Sequence, residues 1–244
     1  MHVLPASMLV TIWEWGLAQS PVRRALRLLA AAWPRETLES LASLPIGQRD
    51  AMLLTLREAT FGSRLTCIVR CPGCAEQLEL DFAIGDISVL PGSEPAIPKP
   101  ATLNGYEVHF RLPTSLDQEA AAIAPDIAAA RDMLLERCLI AATRKGRGVS
   151  IGKLPPAVID AVMRQMAEAD RQADLRLDLS CPSCHHAWIG PFDIVTYFWA
   201  EIDAWARRVL REVHILASAY GWSESDILDL SPGRRGFYLQ AVAR

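Results

Sequence analysis

Two short stretches far apart in the chain, Cys71-Pro72-Gly73-Cys74 and Cys181-Pro182-Ser183-Cys184, limit what it can fold into more than anything else. Each sets two thiols two residues apart, and in a tight turn that spacing aims both sulfurs at one ion while neighbouring amides stabilise the thiolates. Neither pair closes a tetrahedral site alone. The economical reading joins them into one split zinc ribbon with 106 residues inserted between its knuckles. Cys71, Cys74, Cys181 and Cys184 are then the ligands of one structural Zn²⁺. Cys67 in the incoming strand and His185 and His186 just after the second knuckle are the alternative donors. A CxxC redox pair needs a strand-to-helix setting that neither copy has. Four thiolates also fill the ion's coordination, leaving no position for water and arguing against metal catalysis.

The remaining cysteines, Cys67 and Cys138, add nothing like a disulfide framework, so the thiol usage suits a reducing cytosol. With 244 residues, 51% of them hydrophobic, there is ample material for a core. A net charge of −3 provides no electrostatic footprint for nucleic acid. Glu14 interrupts the apolar run near the N-terminus, which therefore lacks a signal-peptide pattern. No uncharged apolar stretch reaches the ~18 residues of a membrane span.

Periodicity divides the chain into five regions. Residues 1–62 read as helical: Ser7 caps a segment with Met8, Leu9, Ile12 and Trp13 on one side, and Pro21 opens a second that ends at Trp33-Pro34. A short helix over Glu36–Ala42 and a longer one over Ile46–Thr60 follow, with Phe61-Gly62 as the stop. Residues 63–112 hold the first knuckle hairpin, an extended Pro-rich linker over 85–101, and a strand in which Tyr106, Val108 and Phe110 alternate with outward-facing His109.

In the inserted region, 113–174, Thr114 or Ser115 caps one helix. Pro125-Asp126 begins another with Ile127, Met133, Leu134, Cys138 and Leu139 as its buried stripe, and Pro155-Pro156 opens a third. The basic run Arg144 to Arg147 reads as a solvated loop. Residues 175–190 form the second hairpin, whose return strand covers His185–Ile189. Residues 191–244 carry a long amphipathic helix from Pro191-Phe192-Asp193 to about Tyr220, a capped turn from Ser223 and a last helix from Ser231-Pro232. The fold expected is α+β, mostly α-helical, with helical regions around a small split zinc-ribbon core.

No phosphate loop, HExxH motif or nucleophile elbow is present, and the five histidines make no ligand or base spacing. His214, inside the long helix, reads as a packing residue. The expectation is a non-enzymatic protein with a metal that serves folding. The competing reading is a zinc-ribbon nucleic-acid-binding regulator, which rests on the CxxC pair and the basic run. A weaker one is a zinc enzyme using His185 or His186.

A series of local motifs runs through the chain in order. It starts with Trp13-Glu14 and Gly16-Leu17, then Pro45-Ile46-Gly47 through Leu53–Glu58 to Phe61-Gly62. Cys71–Cys74, Phe110–Thr114, Leu134–Cys138 and Cys181–Cys184 follow. Tyr220–Glu224, Ile227-Leu228 and Arg234–Leu239 complete it. In this order the chain resembles the T-even-phage-type baseplate hub assembly family, particularly members encoded in contractile tail and extracellular injection-system clusters. The resemblance implies a baseplate component or assembly chaperone whose partners are hub, spike or wedge proteins. It implies no small-molecule substrate and no membrane insertion. It also implies a protein made in the bacterial cytoplasm, with incorporation into the particle as one of its fates. The family supplies no catalytic residue.

Overall fold

The computed structural model describes residues 1–88 and 100–242, a mixed α+β chain with many helices and small antiparallel sheets. It divides into two compact units, one made of the ends, Met1–Glu36 with Ile194–Arg244, and one of the middle, Thr37–Asp193.

The chain begins with α1 (Ala6–Gly16) and α2 (Pro21–Ala32). Ser7 does not cap α1: Pro5 holds that position in extended backbone, and the ring that fixes its φ makes it a natural helix start. Leu9, Ile12 and Trp13 are buried as expected, whereas Met8 faces out. Ser20 does cap α2, its hydroxyl accepting from the Arg23 amide at 3.3 Å.

The middle unit starts with α3 (Leu38–Ala42), capped by Thr37 rather than beginning at Glu36, and α4 (Ile46–Phe61). Gly62, at φ 93, lets the chain leave α4, where Arg57 donates to its carbonyl at 2.6 Å. The N-terminus of α4 receives its cap from elsewhere. The Pro45 ring has no acceptor to offer, and the Gly47 amide instead donates to Asp170 at 3.0 Å. A Cβ on Gly47 would lie 1.8 Å from that carboxylate, so only glycine permits the approach.

Next come β1 (Arg64–Arg70), β2 (Gln77–Ala83) and a single helical turn, α5 (Ile84–Ile87). The expected linker over 85–101 is therefore shorter: its start is helical, and β3 (Ala101–Leu103) occupies its end. Pro91, Pro95 and Pro98 lie outside the described residues. The chain continues through β4 (Tyr106–Phe110), α6 (Ser115–Ala121), α7 (Ile127–Cys138), β5 (Leu139–Arg144), β6 (Arg147–Gly148) and α8 (Pro156–Ala169).

Strands β3 to β6 make one antiparallel sheet in sequence order, with tight turns at Asn104-Gly105 and Lys145-Gly146, all four residues at positive φ. Val108, Phe110, Leu135, Ala142, Val158 and Val162 form the core between this sheet and its helices. Two expectations change here. Ile127 is 89% exposed, because α7 buries only Leu135 and Cys138 near its C-terminal end. Leu139 belongs to β5, where it pairs with Phe110 rather than extending the helical stripe.

The middle unit closes with β7 (Leu175–Ser180) and β8 (Ala187–Phe192), the latter starting after both histidines and running past Ile189. The end unit resumes with α9 (Ile194–Tyr220), α10 (Glu224–Leu228) and α11 (Pro232–Val242). Val10 of α1 packs there with Val209, Val213, Leu216, Ile227 and Leu228. Trp13 donates to Asp203 at 2.8 Å, and buried Arg235 pairs with Glu212 at 3.1 Å. His214 faces solvent on α9, not the core. No helix among the described residues is long and apolar enough to cross a membrane.

Candidate metal centre

The two CxxC turns have the same backbone design. In the first, the Cys71 amide donates to the Glu76 carbonyl and the Ala75 amide to the Cys71 carbonyl, both at 2.9 Å. In the second, Cys181 donates to His186 and His185 to Cys181, again at 2.9 Å. Ala75 and His185 both sit in the left-handed region, at φ 62 and 58, so each turn reverses immediately after its second cysteine. The strands repeat the match: Leu65↔Phe82 and Val69↔Leu78 in the first hairpin correspond to Leu175↔Phe192 and Leu179↔Trp188 in the second. Phe82 and Phe192, equivalent positions, meet edge to face at 5.8 Å.

These hairpins bring Cys71, Cys74, Cys181 and Cys184 together, with all four sulfurs within 4.8 Å of one another. Pairs cross between knuckles, Cys71 Sγ to Cys184 Sγ at 3.6 Å and Cys74 Sγ to Cys181 Sγ at 3.7 Å. A disulfide needs ~2.05 Å, so these are not disulfide contacts. Four sulfurs at ~2.3 Å from a tetrahedral ion lie ~3.8 Å apart, which is close to what the cluster offers. Each knuckle supplies one buried sulfur residue, Cys71 or Cys181, and one exposed, Cys74 or Cys184. The turns also pack closely at Gly73: a Cβ there would lie 3.1 Å from that of His186 and 3.5 Å from Cys184 Sγ.

The electrostatics also suit a cation. Backbone N–H groups of Cys184 and Ser183 draw the Cys181 thiol down to about 7 against its burial. Cys74 accepts from the Glu76 N–H, yet its sulfur neighbours, Cys184 first among them, push it up to about 12. Four thiols this close cannot all ionise unaided, and a divalent ion at their centre removes that conflict. Among the described residues, neither Cys67 nor His185 nor His186 joins the clustered donors. Cys67 sits half-buried in β1 opposite Leu80, and the His186 ring stacks on Trp188 at 6.1 Å.

A second polar centre of the same unit is absent from the sequence reading. Asp117, fully buried, accepts two hydrogen bonds from Arg111, at 2.5 and 2.9 Å, and one from Arg137 at 2.7 Å. The Thr114 amide and hydroxyl add two more at 2.9 Å each. Burial would raise this carboxyl, but the two guanidiniums and Thr114 hold it well below the usual carboxylate range. One carboxylate thus ties the end of β4, the start of α6 and the last turn of α7. Beside it, buried Arg49 donates to Asp50, Ser115 and Gln118. Only the Thr114-x-x-Asp117 capping spacing hinted at the clamp, and spacing alone could not reveal the distant arginines.

Neither a curated protein nor a solved structure matches the chain. A family model described as T4 bacteriophage base plate protein matches residues 28–199, a span that takes in the helix α4, both knuckles and the Asp117 clamp. Because that match covers more than half of its length, the chain belongs to the T4 bacteriophage base plate protein family.

Proposed function

We propose that this chain is a non-enzymatic building protein of the baseplate in a contractile, phage-tail-like injection system. The family match is the observation that carries this reading. In support, four clustered sulfurs would fill a tetrahedral ion's coordination, and the clamp at Asp117 is consumed by its own partners. Cys71, Cys74, Cys181 and Cys184 would hold one zinc ion. When bound, that ion supplies a cross-link between segments that the inserted region separates, not a Lewis acid for a substrate. The protein acts from the cytoplasm of the producing bacterium, on hub, spike or wedge proteins, as a component or as a hub assembly chaperone.

Deleting the gene tests the reading. The expected result is loss of normal sheathed particles, and intact particles from the deletion strain would contradict it. In wild-type preparations, a stoichiometric band in mature particles marks a component. Presence in the lysate alone marks a chaperone.

A further inference from the structure

One surface of the end unit, open among the described residues, has a definite chemistry. Between α1 and α2 runs a groove of about 570 Å³ lined by Pro5, Met8, Thr11, Ile12, Arg27 and Ala31. Along α1, Met8 and Trp15 are each 41% exposed, and they lie two turns apart with Thr11 and Ile12 between them, so they continue one stripe. The opposing wall combines the small side chains Ala30 and Ala31 with Arg27 and Pro34. Methionine at the rim adapts to whatever packs on it.

Charge narrows the occupant. The chain as a whole is acidic, at −3, yet α2 carries Arg23, Arg24 and Arg27 with no acid, and α1 has Glu14 alone. Arg24 is engaged internally, donating to the Gly16 carbonyl at 2.8 Å and lying over the Trp199 ring. Arg27 instead lies over Trp15 at 5.7 Å, at the groove itself. An apolar trough with a cation at its lip accepts an amphipathic helix that has a hydrophobic stripe and a flanking carboxylate.

We infer that the α1–α2 groove docks an acidic amphipathic helix of another baseplate protein. The origin of that helix rests on the baseplate reading; the groove's preference does not. The test installs a photo-crosslinking residue at position 8 in the full chain, within producing cells, and maps the adduct by mass spectrometry. The control position is exposed Thr55 on α4. The result expected is an adduct to an acid-bearing helix of a baseplate protein, specific to position 8. Adding Arg27→Glu should cut its yield at least tenfold, and Arg27→Lys should retain it. Folding of each variant is checked by circular dichroism and metal content. An adduct to a second copy of this chain, to a segment without acids, or none above the Thr55 control overturns the inference. Normal particles from the deletion strain would overturn the functional reading instead, whatever the adduct shows.

Discussion

The cysteine cluster and the Asp117 clamp do the same structural task in one unit by opposite means. Each gathers segments distant in sequence onto a single charged centre. The clamp is complete in itself: one buried carboxylate, two guanidiniums and a threonine satisfy one another. The cluster has donors only, four sulfurs with like charge when ionised, and on the proposed reading it would take an ion from outside to become a cross-link. Cohesion at the clamp should therefore respond to protons, and at the cluster, on the proposed reading, to metal supply.

Removing the metal should have the largest effect. Structural zinc contributes roughly 10–16 kcal/mol in small modules, comparable with or above the ~5–15 kcal/mol stability of a whole domain. Chelation, or Cys181→Ser, is expected to expose both the β1–β2 and β7–β8 hairpins to protease while circular dichroism keeps much of the helix signal. Cleavage confined to the second hairpin would mean that the knuckles do not share one ion.

Asp117→Asn comes next. It leaves Arg111 and Arg137 facing a neutral amide, and because both arginines reach solvent the expected cost is about 3 kcal/mol, at the lower end for a broken buried pair. Urea titration reads it directly. The wild-type clamp should also weaken in acid. Its folded pKa is depressed, so its contribution is present above the ordinary carboxylate value near ~4 and is lost as pH falls below it. Metal binding should be unchanged in Asp117→Asn at neutral pH, and zinc loss in that variant would show the two centres to be coupled.

Asp50 provides a contrast of sign. Burial raises it to about 6, against the Arg49 charge that lowers it, with Asp170 and Asp193 nearby raising it further. Its contribution is present below the unfolded value near ~4 and is lost as pH rises through about 6. Asp50→Asn should flatten the stability profile between those values by up to about 3 kcal/mol. An unchanged slope from pH 4 to 6 would assign that titration elsewhere.

How much of this could be read from sequence follows from the range of each signal. The cysteines were legible because metal ligation imposes a spacing of two residues, visible within four. The equivalence of the two hairpins was not, since only scattered positions such as Leu65 and Leu175, or Phe82 and Phe192, coincide outside the turns. In sequence Asp117 is only an acid in the first turn of the helix that Thr114 or Ser115 caps, because its arginines arrive from the end of β4 and from α7. Leu139 continued a helical stripe in register, yet pairing with β4 outweighed local periodicity. Ile127 kept the helical spacing at the end of α7 that buries nothing.

The smallest expected effect concerns the difference between the knuckles. Gly73 and Ser183 occupy equivalent positions, and at Gly73 the other turn lies close, with the His186 Cβ 3.1 Å from where a Cβ at position 73 would stand. Gly73→Ala should therefore weaken metal affinity by about 1 kcal/mol through overpacking, and His186→Ala should restore part of it. Ser183→Ala should do nothing measurable. Equal effects at both positions would deny that crowding by a new Cβ at Gly73 is the cause.

The most direct test of the shared metal is X-ray absorption on the purified full chain, paired with its metal content. One zinc per chain, in a shell of four sulfurs at ~2.3 Å, is the predicted result. A chain free of metal, two ions, or a shell with nitrogen from His185 or His186 would contradict it.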